Sequence, residues 1–391
     1  MLSKNTRKLE VNLIDRCNTF FKKKENIVIN CLIIRVYIER IMSKAIYKGR
    51  VTIAQVAKVA GVSLSTVDRV LNGRAPVRID TAKHIQAVAE SLNFQGAGII
   101  RERVQGKRIR HRLGFLLEQP DSAFYQTLGS YLADATADKP RECESAVVEY
   151  MSDLSPEAVS KRLRDLGTRV SAIAVVSADH ALINKEIDDL RKKGVPVFAL
   201  ISDLSTPSRA GYAGLDNRRV GRTAAWFITK MAKMPGKIAI SVGSHRFQCQ
   251  ELCEMSFRSY MRENAPDFEL LEPLVTLESN ELAEEGMREL MYRHPDIVGV
   301  FVAGGGAEGV IRALKDHSKG FDGIAPVGVA RELTRGILDG LHGGYMSAVL
   351  SHPLYTLAHR LLDGMILALD NPSSGLQQLV VQMDIQTPDS I

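Results

Sequence analysis

Residues 51–72 read VTIAQVAKVAGVSLSTVDRVLN, and their spacing predicts two short helices joined by a tight turn. Thr52 is placed to cap the first helix, in which the apolar residues Ile53, Val56, Ala57 and Ala60 recur at helical spacing. Gly61 ends that helix, because glycine readily takes the left-handed conformation that such a turn requires. Ser63 then offers a hydroxyl to cap a second helix, in which Val67 and Val70 turn inward together with Val62. That leaves Leu64, Ser65 and Arg69 projecting from the early, outward part of the second helix. In a helix-turn-helix protein this part enters the major groove of DNA. A third helix begins near Asp80 and carries Ile85, Val88, Ala89 and Leu92, completing a compact three-helix unit over residues 49–94.

Charge supports a nucleic-acid role for this unit. The net charge of +6 conceals a split: residues 1–112 hold 23 Lys+Arg against 8 Asp+Glu, and the remainder holds 28 against 37. Residues 42–112 alone carry 14 basic and 4 acidic side chains. A basic module beside an acidic body suits phosphate binding, since each Lys or Arg at a phosphate releases condensed counterions.

Other features exclude rival classes. Cys17, Cys31, Cys143, Cys249 and Cys253 form an odd, scattered set without a Cys-x-x-Cys pair, which points to reduced thiols and a cytoplasmic setting. Cys249 and Cys253 share a helix face, but His245 alone does not complete a metal site, so no metal or cofactor is expected. Residues 27–34 are too short and too charged in their flanks to span a bilayer, and they lack a signal-peptidase site. Residues 1–48 are expected to be an extension outside the folded domains, with a natural start at Met42. Neither a nucleophile elbow, a metal-spaced His/Glu set nor a catalytic carboxylate pair can be located, so an enzyme is not expected. A secreted solute-binding protein would suit the rest of the chain but not the basic N-terminal unit.

From residue 113 onward, apolar runs alternate with helical segments. Strands are predicted at 113–117, 146–150, 171–176, 195–201, 237–242, 297–303 and 324–329, and helices at 157–166, 182–192, 219–233, 248–263, 282–294 and 308–316. Apolar strands alternating with helices predict parallel sheets covered on both faces, and this length exceeds one sheet. Two lobes are therefore expected, with ligands bound in a cleft outside the carboxyl ends of the strands.

The 51–72 stretch resembles the headpiece of the LacI/GalR family of repressors almost residue by residue. Residues 113–391 are similar to the type I periplasmic-binding-protein fold used as sensor in that family, most sharply at 214–225, GLDNRRVGRTAA. The resemblance implies an all-α DNA-binding domain followed by a two-lobed α/β body. Lobe one is expected at 113–235 and 352–371 and lobe two at 236–351 and 372–391, with three crossings between them. It implies a homodimer on a pseudo-palindromic double-stranded operator, governed by a small effector, a sugar or sugar derivative. Whether the effector induces or co-represses stays open. The chain ends without a leucine heptad, so a dimer is expected rather than a tetramer.

Roles follow from the same resemblance. Leu64, Ser65 and Arg69 would approach base edges, with Arg69 able to donate two bonds to guanine. Thr52, Ser63, Thr66, Asn72 and Thr81 would position the unit on phosphates. Asp68 departs from the family's usual serine; its carboxylate would repel phosphate unless it orients Arg69 or a neighbour. In the linker, 95–112, a hinge helix would wedge an apolar residue into the minor groove, through either Ile99-Ile100 or Val104-Gln105 in place of the family's Leu-Ala. In the cleft, Glu118, Gln119, Phe124 and Tyr125 would meet the effector, Phe124 either by stacking on it or as a core aromatic. Asp216 and Asn217 would either contact the effector or cap the helix that follows. Arg246 would replace a family arginine that appears here as Cys253, and Arg331, Glu332, Ser351 and His352 fall at further shifted positions. The family's usual Asn-Asp is Gly304-Gly305. Arg246, Arg331 and the amides after Gly304 would together suit an anionic or phosphorylated sugar.

Overall fold

A computed structural model describes residues 51–104, 110–318 and 325–391. The extension expected at 1–48 and the hinge candidate Gln105 lie outside the described residues. The chain divides into two compact units, with the boundary between residues 108 and 109.

The first unit contains α1 (Ile53–Ala60), α2 (Leu64–Asn72), α3 (Ile79–Ser91) and α4 (Ala97–Val104). The Thr52 amide donates to Gln55 Oε1 at 2.7 Å, tying down the start of α1. Gly61 and Gly73 end α1 and α2 in the left-handed conformation, with φ of 64° and 63°. Val56, Ala57, Val67, Ile85 and Ala89 form the core of the unit, as the spacing requires. The fourth helix packs on α2 and α3 and delivers Ile100 into the same core, where it is 0 % exposed. This corrects the reading of Ile100 as a minor-groove wedge, because inserting it would first empty the core it fills. Ile99, 50 % exposed, remains available on the outer face.

The second unit has two sheets. One runs in the order β12-β5-β4-β3-β1-β2, made of β1 (His111–Glu118), β2 (Cys143–Met151), β3 (Ala172–Val175), β4 (Val197–Leu200), β5 (Gly211–Leu215) and β12 (Gln377–Val381). The other runs β13-β11-β10-β9-β6-β7, with β8 also on β6; its strands are β6 (Lys237–Val242), β7 (Glu269–Leu270), β8 (Leu274–Val275), β9 (Ile297–Val302), β10 (Val327–Arg331), β11 (Ala348–Ser351) and β13 (Asp384–Gln386). Every pairing is parallel except β11 with β13. The central strands are apolar on both faces because helices cover both: α5 (Ala123–Ala137), α6 (Pro156–Gly167), α7 (Ala181–Lys192) and α13 (Leu354–Asp370) on the first sheet, and α8 (Asn217–Met231), α9 (Gln248–Asn264), α10 (Asn280–Arg293), α11 (Ala307–Ser318) and α12 (Arg335–His342) on the second.

The chain crosses between the sheets three times, after β5, β11 and β12. Two expected boundaries move. The first crossing falls at Leu215 and not near 235, because α8 packs on α9 and on β9, β10 and β11 of lobe two. Gly221 permits that contact: a Cβ there would lie 2.1 Å from the Cys253 carbonyl oxygen. The segment 372–381, expected in lobe two, instead adds β12 to the edge of lobe one, and only β13 returns to lobe two. Amphipathic spacing identifies such elements but does not say which of two similar sheets receives them.

Candidate functional site

On the first unit, the N-terminus of α2 is held by Ser63, whose Oγ accepts the Thr66 amide at 3.2 Å and lies 2.9 Å from Ser65 Oγ. Leu64, 56 % exposed, shares an outward face with exposed Ser65 and Arg69. Asp68 does not restrain Arg69. Its carboxylate accepts from Asn72 Nδ2 at 2.6 Å and from Arg74 Nη1 at 3.5 Å, so its charge is partly offset by Arg74. Thr52 and Asn72 are exposed, and Thr66 and Thr81 half-buried, at the margins of this face.

In the second unit a cavity of about 600 Å³ opens between the lobes at the carboxyl ends of the strands, a volume that suits a small ligand. Glu118, Gln119, Phe124, Tyr125, Arg331 and Glu332 all line it. Gln119, Ile201, Glu278 and Glu332 line it with positive φ, between 42° and 65°. Left-handed backbone at four non-glycine residues around one cleft is strain of the kind that gathers at binding sites.

The remaining expected residues lie elsewhere, each for a local reason. Asp216 caps α8, its Oδ1 accepting the Arg218 and Arg219 amides, so the capping alternative holds. Asn217 is buried behind the cleft, donating to Tyr212 Oη at 3.1 Å, and the Tyr212 hydroxyl in turn donates to the Ile201 carbonyl. Arg246 is exposed in the loop before α9 and does not line the cavity, while Cys253 is sealed between α8 and α9. Ser351 donates to Gln386 and joins β11 to β13. His352 stands behind the lining: its ring Nδ1 is 2.7 Å from Glu332 Oε1 and its amide donates to Oε2 at 3.1 Å. Phe124 is half-buried, packing against the core with one part and lining the cleft with another.

Glu278 is the important residue that the sequence did not reveal. It sits between β8 and α10, and its carboxylate accepts from Gln250 Nε2 at 2.6 Å and from the Gly305 amide at 2.9 Å. Gln250 is itself fixed by the Gly243 and Ser244 amides. The carboxylate occupies space that side chains at 243 and 305 would fill: a Cβ at Gly243 would lie 1.6 Å from Oε1, and one at Gly305 2.0 Å from Oε2. The glycines that replace the expected Asn-Asp thus make room for an acid from another loop. This weighs against the anionic-effector reading: the Gly305 amide is engaged by the chain's own carboxylate, and Arg246 does not line the cleft.

Electrostatics follow from burial. Loss of water, and then the charge of Glu278, push Glu118 well above the ordinary carboxyl range, although a 3.3 Å bond from the Tyr125 hydroxyl opposes them. Glu278 is also raised by burial, against the pull of its hydrogen bonds. Burial would raise Glu332 too, but His352 and Arg331 outweigh it and hold its carboxyl below the usual range. Between the ordinary and the raised value, folded Glu118 keeps a proton that the unfolded chain releases, so its contribution to stability declines as pH rises through that window. Glu118→Gln should therefore gain in Tm relative to the parent as pH rises above the ordinary carboxyl range, as followed by thermal denaturation.

Comparison with known proteins places both units. Residues 113–370 match the periplasmic binding protein domain family, and residues 52–96 match the bacterial regulatory proteins of the lacI family. The chain belongs to the periplasmic-binding-protein domain family and carries a lacI-family headpiece. It is 25 % identical over 200 residues to the HTH-type transcriptional regulator MalR of Streptomyces coelicolor, covering 50 % of this chain and 54 % of that protein. It is 28 % identical over 158 residues to the catabolite control protein A of Priestia megaterium, covering 40 % and 45 %. The chain thus spans about half the length of the curated relatives it matches. Among solved structures, GanP, a glucose-galactose binding protein from Geobacillus stearothermophilus, superposes with a TM-score of 0.65 at 16 % identity, over 73 % of this chain and 99 % of that one. That likeness establishes the two-lobed fold. No helix among the described residues is long and apolar enough to cross a membrane, and none of their His, Cys, Asp and Glu side chains form a metal-holding group.

Proposed function

We propose that this protein is a cytoplasmic, non-enzymatic transcriptional repressor that binds a pseudo-palindromic operator as a homodimer and whose operator affinity is set by a small sugar-like effector in the interlobe cleft. The observation that carries this reading is the outward face of α2, where Leu64, Ser65 and Arg69 stand exposed beside a rigid cap while the acid at 68 is engaged by Asn72 and Arg74. A guanidinium in that position can pair with guanine O6 and N7, and Leu64 can meet a thymine methyl. Thr52, Ser63, Thr66, Asn72 and Thr81 would set the register on phosphates, and Ile99 is the remaining apolar residue on the outside of α4. The effector acts by binding one arrangement of the lobes better than the other. Glu118, Gln119, Phe124, Tyr125, Arg331 and Glu332 would contact it, and Glu278 joins them.

Selection of bound sequences from random duplexes tests the reading. A pseudo-palindromic motif, recovered by protein that sediments as a dimer, is the expected result. Binding that shows no sequence preference would overturn it.

A further inference from the structure

The cavity is lined by six acids, Glu118, Asp121, Glu278, Glu281, Glu308 and Glu332, and by a single base, Arg331. That base is already committed. Its Nη2 lies 3.6 Å from Glu332 Oε1, and its Nη1 donates to the Ala303 carbonyl at 3.3 Å. Glu118 is 3 % exposed at the end of β1 in lobe one, and its carboxylate accepts from the neutral Tyr125 hydroxyl at 3.3 Å. Glu278 reaches the cleft from lobe two, held by two neutral donors in its glycine cradle. Among the described residues neither carboxyl group has an ion-pair partner within 4.0 Å. A buried carboxyl group from lobe one and a half-buried one from lobe two, neither in an ion pair, form an incomplete arrangement that favours protonation or a positive group between them. Arg331 Nε is a second unfilled position, a buried N–H at the cleft without a partner. It suits a hydroxyl oxygen, and Phe124 and Tyr125 offer ring faces to C–H groups or to a cation.

We propose that the effector is a polyhydroxylated amine, an amino sugar or amino polyol, whose ammonium group sits between Glu118 of lobe one and Glu278 of lobe two while a hydroxyl accepts from Arg331 Nε. The proposal rests on the reading of the cleft as an effector site and adds its charge. A cation that joins acids from two lobes binds the closed arrangement better than the open one, which is what an allosteric effector needs. Phosphorylated sugars are rejected, because the helix-end amide that would hold a phosphate already binds Glu278 and the other acids repel it.

The test uses the full-length protein in calorimetry with D-glucosamine, D-galactosamine and a set of aminocyclitols, against D-glucose, D-galactose, N-acetyl-D-glucosamine and D-glucose 6-phosphate. At least one amine should bind about tenfold or more tightly than its neutral and N-acetyl counterparts, as a charge-assisted bond implies. Glu278→Gln and Glu118→Gln should each remove most of that preference in protein whose circular dichroism shows it folded. Amine affinity should also rise as pH climbs above the ordinary carboxyl range while the ligand's ammonium stays charged, as Glu118 yields the proton it holds in the empty cleft. The charged and titratable groups that bear on Glu118 there are Glu278 and Tyr125, with Arg331 acting on Glu278. Tighter binding of neutral or phosphorylated sugars would overturn the proposal and leave the effector reading standing. So would a panel in which no amine binds. If in addition no sugar of any charge alters operator binding, the effector reading falls with it.

Discussion

Arg69→Ala is expected to abolish recovery of a sequence motif while leaving weak, salt-sensitive binding to any duplex. The guanidinium is exposed on the outer face of α2, and the neighbouring acid is occupied by Asn72 and Arg74. A bidentate contact to a base contributes about 1–3 kcal/mol of discrimination, and a dimer uses it twice, so specific affinity should fall by roughly 30-fold to 10⁴-fold. The helices, their caps and the other basic side chains are untouched, so nonspecific affinity and its dependence on salt should change little. Competition titrations with operator and scrambled duplex at two salt concentrations separate the two terms. An equal loss on both duplexes would show that Arg69 serves phosphates and not bases.

Glu332→Gln should cost the body several kilocalories of stability. Glu332 links Arg331 to His352, and removing its charge leaves a guanidinium, 6 % exposed, without its ion-pair partner. Breaking a buried pair from one side costs about 3–5 kcal/mol. For a body of this size that corresponds to a fall in Tm of roughly 6–20 °C. The sign of the pH dependence is fixed by the lowered carboxyl value: the stabilisation is complete above the ordinary carboxyl range and is lost as pH falls through the lowered value. Parent and variant should therefore converge in strong acid and differ most near neutrality. A constant difference across that range would mean that the substitution acts through packing and not through charge.

The two units were legible in the sequence to different depths. The headpiece is written in local code: Thr52, Gly61 and Ser63 punctuate helices whose apolar spacing has one solution. Ile100 escaped because the helix that carries it looks like linker, and only its packing against α2 and α3 marks it as core. In the body, the alternation of strands and helices gave the fold, but β7 and β8 have two residues each and leave no period to detect. Glu118, Gln119, Phe124 and Tyr125 were found because they follow directly on the first strand. Glu278 was not, because its place is defined by Gly243, Gln250 and Gly305, which come from other strand ends and one helix. The one sequence signal was indirect: glycines at cleft-edge positions where a polar side chain was expected.

That cradle also constrains how this chain could diverge. A side chain cannot return at 305 while Glu278 keeps its rotamer, and a residue shorter than Glu278 would leave Gln250 Nε2 without its acceptor. Positions 243, 250, 278 and 305 therefore form one unit of inheritance. Related sequences should switch between two sets, glycines with a glutamate at 278 or a polar pair at 304–305 without it, and intermediates should be rare because they pass through either a collision or an orphaned amide.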